Sequence, residues 1–294
     1  MLSLEYLAGL LEEHRAAAAV KVREFSIGGR FFAFNSEPTI MGVVNLSPDS
    51  WYRESVCLTV EKAVERGKIL HAQGAAVIDV GAESTLAQAA RLDQAAQQKK
   101  LLPVIKELAA ANLIVSVETY QKEVARASLE AGARVINLTG MEDAVEIFRM
   151  AAEFSAGVVL CYVQGRNVRE VGDFDLKSVI TAMRDYFLRQ ADAAAKAGLE
   201  KILIDPGLGF YYRNLQDSAV RVRHQMMTFL HTFRLRELGF PVCHALPHAF
   251  EYFGEEVRCA EPFFAVLAAL GKTDLFRTHE VPRIKAVLEA LKIF

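Results

Sequence analysis

Eight short runs of apolar, β-branched residues recur along the chain, and a stretch with helical period follows each of them. The runs are 39–44 (TIMGVV), 75–80 (AAVIDV), 113–118 (LIVSVE), 133–138 (ARVINL), 157–162 (GVVLCY), 201–205 (KILID), 240–245 (FPVCHA) and 273–277 (TDLFR). They are nearly continuous in apolar character, the pattern of parallel strands covered on both faces. Segments such as VEKAVERGKILHAQ, QKEVARASLEAG and DAVEIFRMAAEF carry the amphipathic spacing of the helices between them. Gly74, Gly132 and Gly198 stand just before strands, where a left-handed helix cap belongs.

Eight strand–helix repeats predict an α/β fold of the (β/α)8 TIM-barrel type, since open doubly wound sheets usually carry fewer units. Ahead of the barrel, residues 1–23 read as an amphipathic helix. FSIGGRFFAF (25–34) reads as a short β-hairpin turning at Gly28-Gly29. No linker or composition break interrupts the rest. The expectation is a single domain over 1–294, with helix and hairpin in 1–37 and the barrel in 38–294.

Composition narrows the function classes. With 294 residues, 52% hydrophobic and 24% charged, the chain suits a globular protein with one large core. A net charge of −2 and the lack of a Lys/Arg-rich run argue against a nucleic-acid partner. Glu5, Glu12, Glu13, His14 and Arg15 interrupt the stretch that a signal peptide would keep apolar. No apolar run approaches the ~18 residues that span a bilayer, so no membrane role is expected. Cys57, Cys161, Cys243 and Cys259 show no CxxC spacing and point to a reducing, cytoplasmic setting.

Barrels of this kind place their chemistry at the C-terminal strand ends. Those ends give Asn45, Glu83-Ser84-Thr85, Glu118, Asn137, Tyr162, Asp205, His244, Arg277 and His279. Two local contexts stand out. MGVVNLSPDSW (41–51) closes the first strand on Asn45 and a Ser-Pro-Asp turn. IDPGLGF (204–210) places an acid before Pro and two glycines, which lets a flat ligand approach closely.

These two segments, with DVGAEST (79–85), SVETYQKEVARASLEAGARVIN (116–137) and RTHEV (277–281), resemble in order and spacing the signatures of the dihydropteroate synthase family. The resemblance runs from about residue 38 to the last residue of the chain. It implies a pterin in the barrel mouth, held by Asp205 and Asn137 with Glu118 in support. A pterin's exocyclic amine and ring N–H form two parallel donors, which one carboxylate accepts as a bidentate, charge-assisted pair. Asn137 offers both a donor and an acceptor to the mixed ring edge. Glu118 stands where the family has Asp, and its extra C–C bond of ~1.5 Å lengthens its reach. Displacements of about 1 Å can lower turnover on the order of a hundredfold.

The resemblance further implies that Asn45, Arg277 and His279 are catalytic, stabilising a departing pyrophosphate with Mg2+ held by Asn45. Thr85 would face the substrate, p-aminobenzoate would be the second substrate, and the protein would be a homodimer. The departures are also specific. Pro247-His248-Ala249 replaces the family's Ser-Arg-Lys, leaving only His248 or His244 as a cation there. Leu86 replaces an Arg, Leu138 an Asp and Tyr162 a His, and the Pro-Gly of the second loop is missing. Each lost group that stabilises developing charge typically removes ~2–4 kcal/mol of barrier lowering.

Three functions remain open: a dihydropteroate synthase with impaired or altered catalysis, a non-catalytic pterin- or folate-binding protein, and a pterin-dependent methyltransferase with a corrinoid partner. Trp51, Tyr52, Tyr211 and Tyr212 read either as rim packing or as replacement contacts to an aromatic substrate. His224 and His231 read as part of a core or dimer-facing helix, and no Cys/His cluster suggests zinc.

Overall fold

A computed structural model describes residues 2–50, 52, 55–84, 91–168, 170–176, 178–210 and 212–293. The chain opens with helix α1 (Leu4–Glu13), the single turn α2 (Arg15–Ala18) and a hairpin of β1 (Phe25–Ile27) and β2 (Arg30–Phe32). Ser3 caps α1 by accepting the Tyr6 N–H, and the hairpin turns at Gly28 and Gly29 with φ of 56° and 83°.

The barrel begins with β3 (Thr39–Asn45), α3 (Val60–Ala72), β4 (Val77–Gly81), α4 (Gln94–Ala110) and β5 (Ile114–Thr119). It continues with α5 (Lys122–Glu130), β6 (Val135–Leu138), α6 (Ala144–Glu153), β7 (Gly157–Cys161), α7 (Val179–Lys196) and β8 (Ile202–Asp205). The last part holds α8 (Ser218–Leu235), β9 (Cys243–Ala245), the short α9 (Phe250–Phe253), α10 (Ala260–Leu270), β10 (Leu275–Thr278) and α11 (Val281–Leu291). Each apolar run of the sequence coincides with a strand. Gly74, Gly132 and Gly198 sit at the helix ends with positive φ, as the spacing predicts.

The eight barrel strands pair in parallel in the order β8-β7-β6-β5-β4-β3-β10-β9. A bridge from Ile204 to Val242 and a bond from the Ile204 N–H to the Pro241 carbonyl (3.0 Å) bring β8 to β9 and close the ring. The (β/α)8 barrel, preceded by a helix and a hairpin, is therefore the observed fold.

Strand alternation sorts this barrel into levels. Met41, Val77, Ile114, Val135, Val159, Leu203, Cys243 and Leu275 meet inside, joined from below by Ile27, Phe32 and Phe34 of the hairpin segment. Two residues further along the strands the interior turns polar, with Asp79, Ser116, Asn137, Asp205 and Arg277. The residues between, such as Ile78, Ile136, Leu138, Leu160, Ile204 and Phe276, pack outward against the helices. Among the described residues no helix is long and apolar enough to cross a membrane.

Candidate functional site

The polar level centres on Asp79, a fully buried acid within β4. Its carboxylate accepts Arg277 Nε at 2.7 Å, Asn137 Nδ2 at 3.1 Å and the Ser116 hydroxyl. Arg277 also reaches Glu118 Oε2 through Nη2 at 2.6 Å, so one guanidinium ties β10 to β4 and β5. Register explains the convergence: Gly81, Glu118 and Asn137 are successive neighbours across β4, β5 and β6. Asp79 was missing from the strand-end reading. A lone acid inside the apolar run AAVIDV, pointing inward by alternation, was the available signal.

Asn137 and Asp205 are both buried and line one cleft, open to solvent at the C-terminal face. Asn137 gives one N–H to Asp79 and takes the Cys161 thiol on its oxygen at 3.4 Å. An amide carries two protons and two lone pairs, so a donor and an acceptor remain for a ligand. Asp205 Oδ1 accepts the Gly207 N–H at 2.7 Å. Gly207 has φ of 75°, and a Cβ there would lie 2.3 Å from the Tyr162 carbonyl oxygen, so only glycine fits. Burial pushes the Asp205 carboxyl up to about 6, against the pull of the Gly207 N–H and Arg277. Burial pushes Glu118 further, to about 7; Arg277 opposes this, and Asp79, Glu83 and Asp205 add to it.

Asn45 and His279 line the same cleft from β3 and from the residue after β10. Asn45 Nδ2 is held by the hydroxyls of Ser50 (3.0 Å) and Ser55, which leaves the amide oxygen as the atom suited to a hard cation. His279 Nδ1 meets Glu261 Oε1 at 2.7 Å, and the Glu261 carboxylate also takes the His279 N–H. Tyr52 stacks on the His279 ring at 4.7 Å, while its hydroxyl binds Glu280. Tyr52 is thus a buried packing residue that orients a cleft side chain.

The β7–β9 side differs from the expectation. Tyr162 packs outward among Phe174, Tyr186 and Phe187, and its neighbour Cys161 faces the cleft instead. His244 also points outward, with Nε2 at 2.7 Å from the Thr232 hydroxyl and its ring on Phe229. Burial lowers His244 to about 3, so it supplies no cation. His248 does line the cleft, yet burial and then Arg221 lower it to about 4, leaving it neutral near pH 7. Tyr212 is buried against Phe174, its hydroxyl accepting the Gln164 N–H. His224 contacts Phe174 and His231 meets the Tyr6 hydroxyl at 3.0 Å, so both serve helix packing. Thr85, Leu86, Trp51 and Tyr211 lie outside the described residues.

Among the described residues no group of three His, Cys, Asp or Glu side chains is arranged to hold a metal alone. A single amide oxygen on Asn45 nonetheless fits Mg2+, which is commonly held by few protein ligands together with substrate phosphates.

The fold and the cleft define a small-molecule site at the C-terminal face of a TIM barrel. Residues 41–246 match the family described as pterin binding enzyme. A dihydropteroate synthase of Streptococcus pyogenes serotype M6 is 33% identical over 216 residues, covering 72% of this chain and 75% of that protein. A dihydropteroate synthase of Synechocystis is 28% identical over 273 residues, covering 87% and 89%. Among solved structures, Xanthomonas albilineans dihydropteroate synthase with 4-aminobenzoic acid superposes with a TM-score of 0.77 at 28% identity, covering 93% of this chain and 98% of that one. The same enzyme in complex with 7,8-dihydropteroate gives 0.71 at 28%, covering 92% and 97%. The chain belongs to the dihydropteroate synthase family of pterin-binding enzymes.

Proposed function

We propose that the protein binds 6-hydroxymethyl-dihydropterin diphosphate and joins it to p-aminobenzoate, with turnover reduced by the depleted β9 loop. The observation that carries this reading is the convergence of Asp205 and Asn137, both buried, in one cleft. Asp205 accepts the pterin's exocyclic amine and ring N–H, and Asn137 uses its remaining donor and acceptor on the adjoining ring edge. Glu118 stands beside them, anchored by Arg277.

In the reaction the arylamine nitrogen attacks the exocyclic methylene carbon, the C–O bond to the diphosphate breaks, and the amine proton passes to solvent. The protein holds both partners in line and needs no nucleophile of its own. His279, oriented by Glu261 and Tyr52, and Asn45 border the departing diphosphate. Arg277 is shared with Asp79 and Glu118, so its charge is already opposed there. Mg2+ held by the Asn45 oxygen and the diphosphate would neutralise the leaving group. Thr85 is assigned to the substrate side by resemblance alone. Free thiols on all four cysteines fit a reducing cytoplasm, and family resemblance favours a homodimer.

Calorimetric titration with the pterin diphosphate, with and without Mg2+, followed by a pyrophosphate-release assay with p-aminobenzoate, tests the proposal. Mg2+-dependent binding with slow release is expected. A second reading, a pterin-binding protein without turnover, draws on the cation-poor β9 loop, where His248 is neutral and Leu246 and Pro247 line the wall. Binding with no release would favour it. Absence of pterin binding would end both readings.

A further inference from the structure

Only two lysine or arginine side chains line the cleft among the described residues, Arg277 and Arg221. Arg277 is taken up by Asp79 and Glu118. Arg221 sits in the first turn of α8, beside the β8–β9 side of the mouth, and its side chain is 16% exposed. Its Nη2 meets both oxygens of Glu251 at 2.8 Å, and Nη1 reaches the Leu215 and Gln216 carbonyls at 3.3 and 3.5 Å. Its Nε–H is buried and has no hydrogen-bond partner. One turn on, Gln225 lines the same wall; it is 3% exposed, its amide nitrogen gives to the Leu208 carbonyl at 3.1 Å, and its buried Oε1 has no partner. Both residues line the cleft and each carries a polar atom without the partner that buried polar groups normally have, which marks this stretch of wall as a place for a polar guest.

Resting on the reading above, we propose that Arg221 is the specificity residue that receives the carboxylate of the arylamine substrate. The guanidinium, which has this N–H to spare, is the donor group, and Leu208, Leu246 and Pro247 give the apolar wall against which an aromatic ring lies. Asn45, His279 and Arg277 come from β3 and from the end of β10, which borders this wall where the Leu246 N–H meets the Arg277 carbonyl at 2.9 Å, so the diphosphate and arylamine sites adjoin. Arg221 thus supplies from a helix the charge that the β9 loop, with neutral His248, does not. Glu251 is partly exposed and holds the guanidinium in place.

Binding of 4-aminobenzoate and of its uncharged counterpart 4-aminobenzamide, measured by calorimetry with and without pterin and inorganic diphosphate, tests the assignment. The unaltered protein is expected to favour the acid over the amide by about tenfold or more, the size of a hydrogen bond to a charged group. R221Q should erase that preference, and R221K should restore part of it. Equal binding of acid and amide, binding of neither, or a preference that survives R221Q would overturn the proposal. So would an R221Q variant that loses pterin diphosphate affinity instead, because the guanidinium would then serve the leaving group. Thermal unfolding of each variant separates lost recognition from lost fold. Failure of the pterin titration alone strikes the proposed function and leaves the acid-over-amide comparison readable in its own right.

Discussion

The two halves of the barrel mouth are made of different materials. On the β4–β6 and β10 side, Asp79, Ser116, Glu118, Asn137 and Arg277 form a buried network in which each group positions the next. On the β7–β9 side the wall is Cys161, Ala245, Leu246, Pro247 and a neutral His248 around the single acid Asp205 at the end of β8, with Arg221 reaching in from α8. The first half is preorganised, because its charges are paired before any ligand arrives. The second half is more open to change, its one arginine coming from α8 and held only by the partly exposed Glu251 and by backbone carbonyls. The proposed clamp for a flat heterocycle spans both halves, Asn137 from the first and Asp205 from the second, whereas a charged second reactant would draw on Arg221 alone, so the second property can weaken while the first persists.

The largest effect should come from breaking the network. D79A leaves Arg277 and Asn137 without their shared acceptor, and removal of one member of a buried ion pair typically destabilises by about 3–5 kcal/mol. Urea unfolding at pH 7 checks this. A loss below about 1 kcal/mol, ordinary for surface changes, would show that the half is not preorganised through Asp79.

D205N should weaken pterin binding by on the order of a hundredfold, as the loss of a charge-assisted pair would. Its stability should move the other way with pH. Asp205 in the folded protein is raised to about 6, above its ordinary value, so the native state keeps a proton that the unfolded chain releases. The stability this contributes is present below about pH 4 and lost as pH rises through about 6. D205N should therefore gain on the unaltered protein over that interval, while pterin affinity of the unaltered protein rises across it. Paired urea titrations and calorimetry from pH 4 to pH 7 measure both; two parallel stability curves would refute the linkage.

The smallest effect concerns the outward residues. Y162F and H244L should leave pterin affinity within about twofold, since neither side chain lines the cleft and distant changes act independently. A tenfold change would place one of them in the mouth after all.

The strand positions and the barrel were legible because buried parallel strands leave unbroken apolar runs, and all eight runs coincide with strands. Asn45, Glu118, Asn137, Asp205, Arg277 and His279 were legible as strand ends, and the structure brings all of them into one cleft. Tyr162 and His244 were read as mouth residues because they too end runs. Counting in twos from Val159 and Cys243 shows that they belong to the outer face. Asp79 was hidden by its position inside a run. Arg221 was hidden for another reason: it lies in a helix, 11 residues past the end of the DPGLGF turn, and no period of the local sequence tells which face of α8 meets the mouth.

The hairpin segment and the hydrocarbon level above it close the barrel at its other end, where Ile27, Phe32 and Phe34 meet Met41, Val77 and Leu203. No traffic runs through the axis. Under the proposed reaction, both reactants and both products would use the same door. Whichever guest sits deepest, against Asp205 and Asn137, has to enter before its companion and depart after it, so the architecture itself imposes a queue.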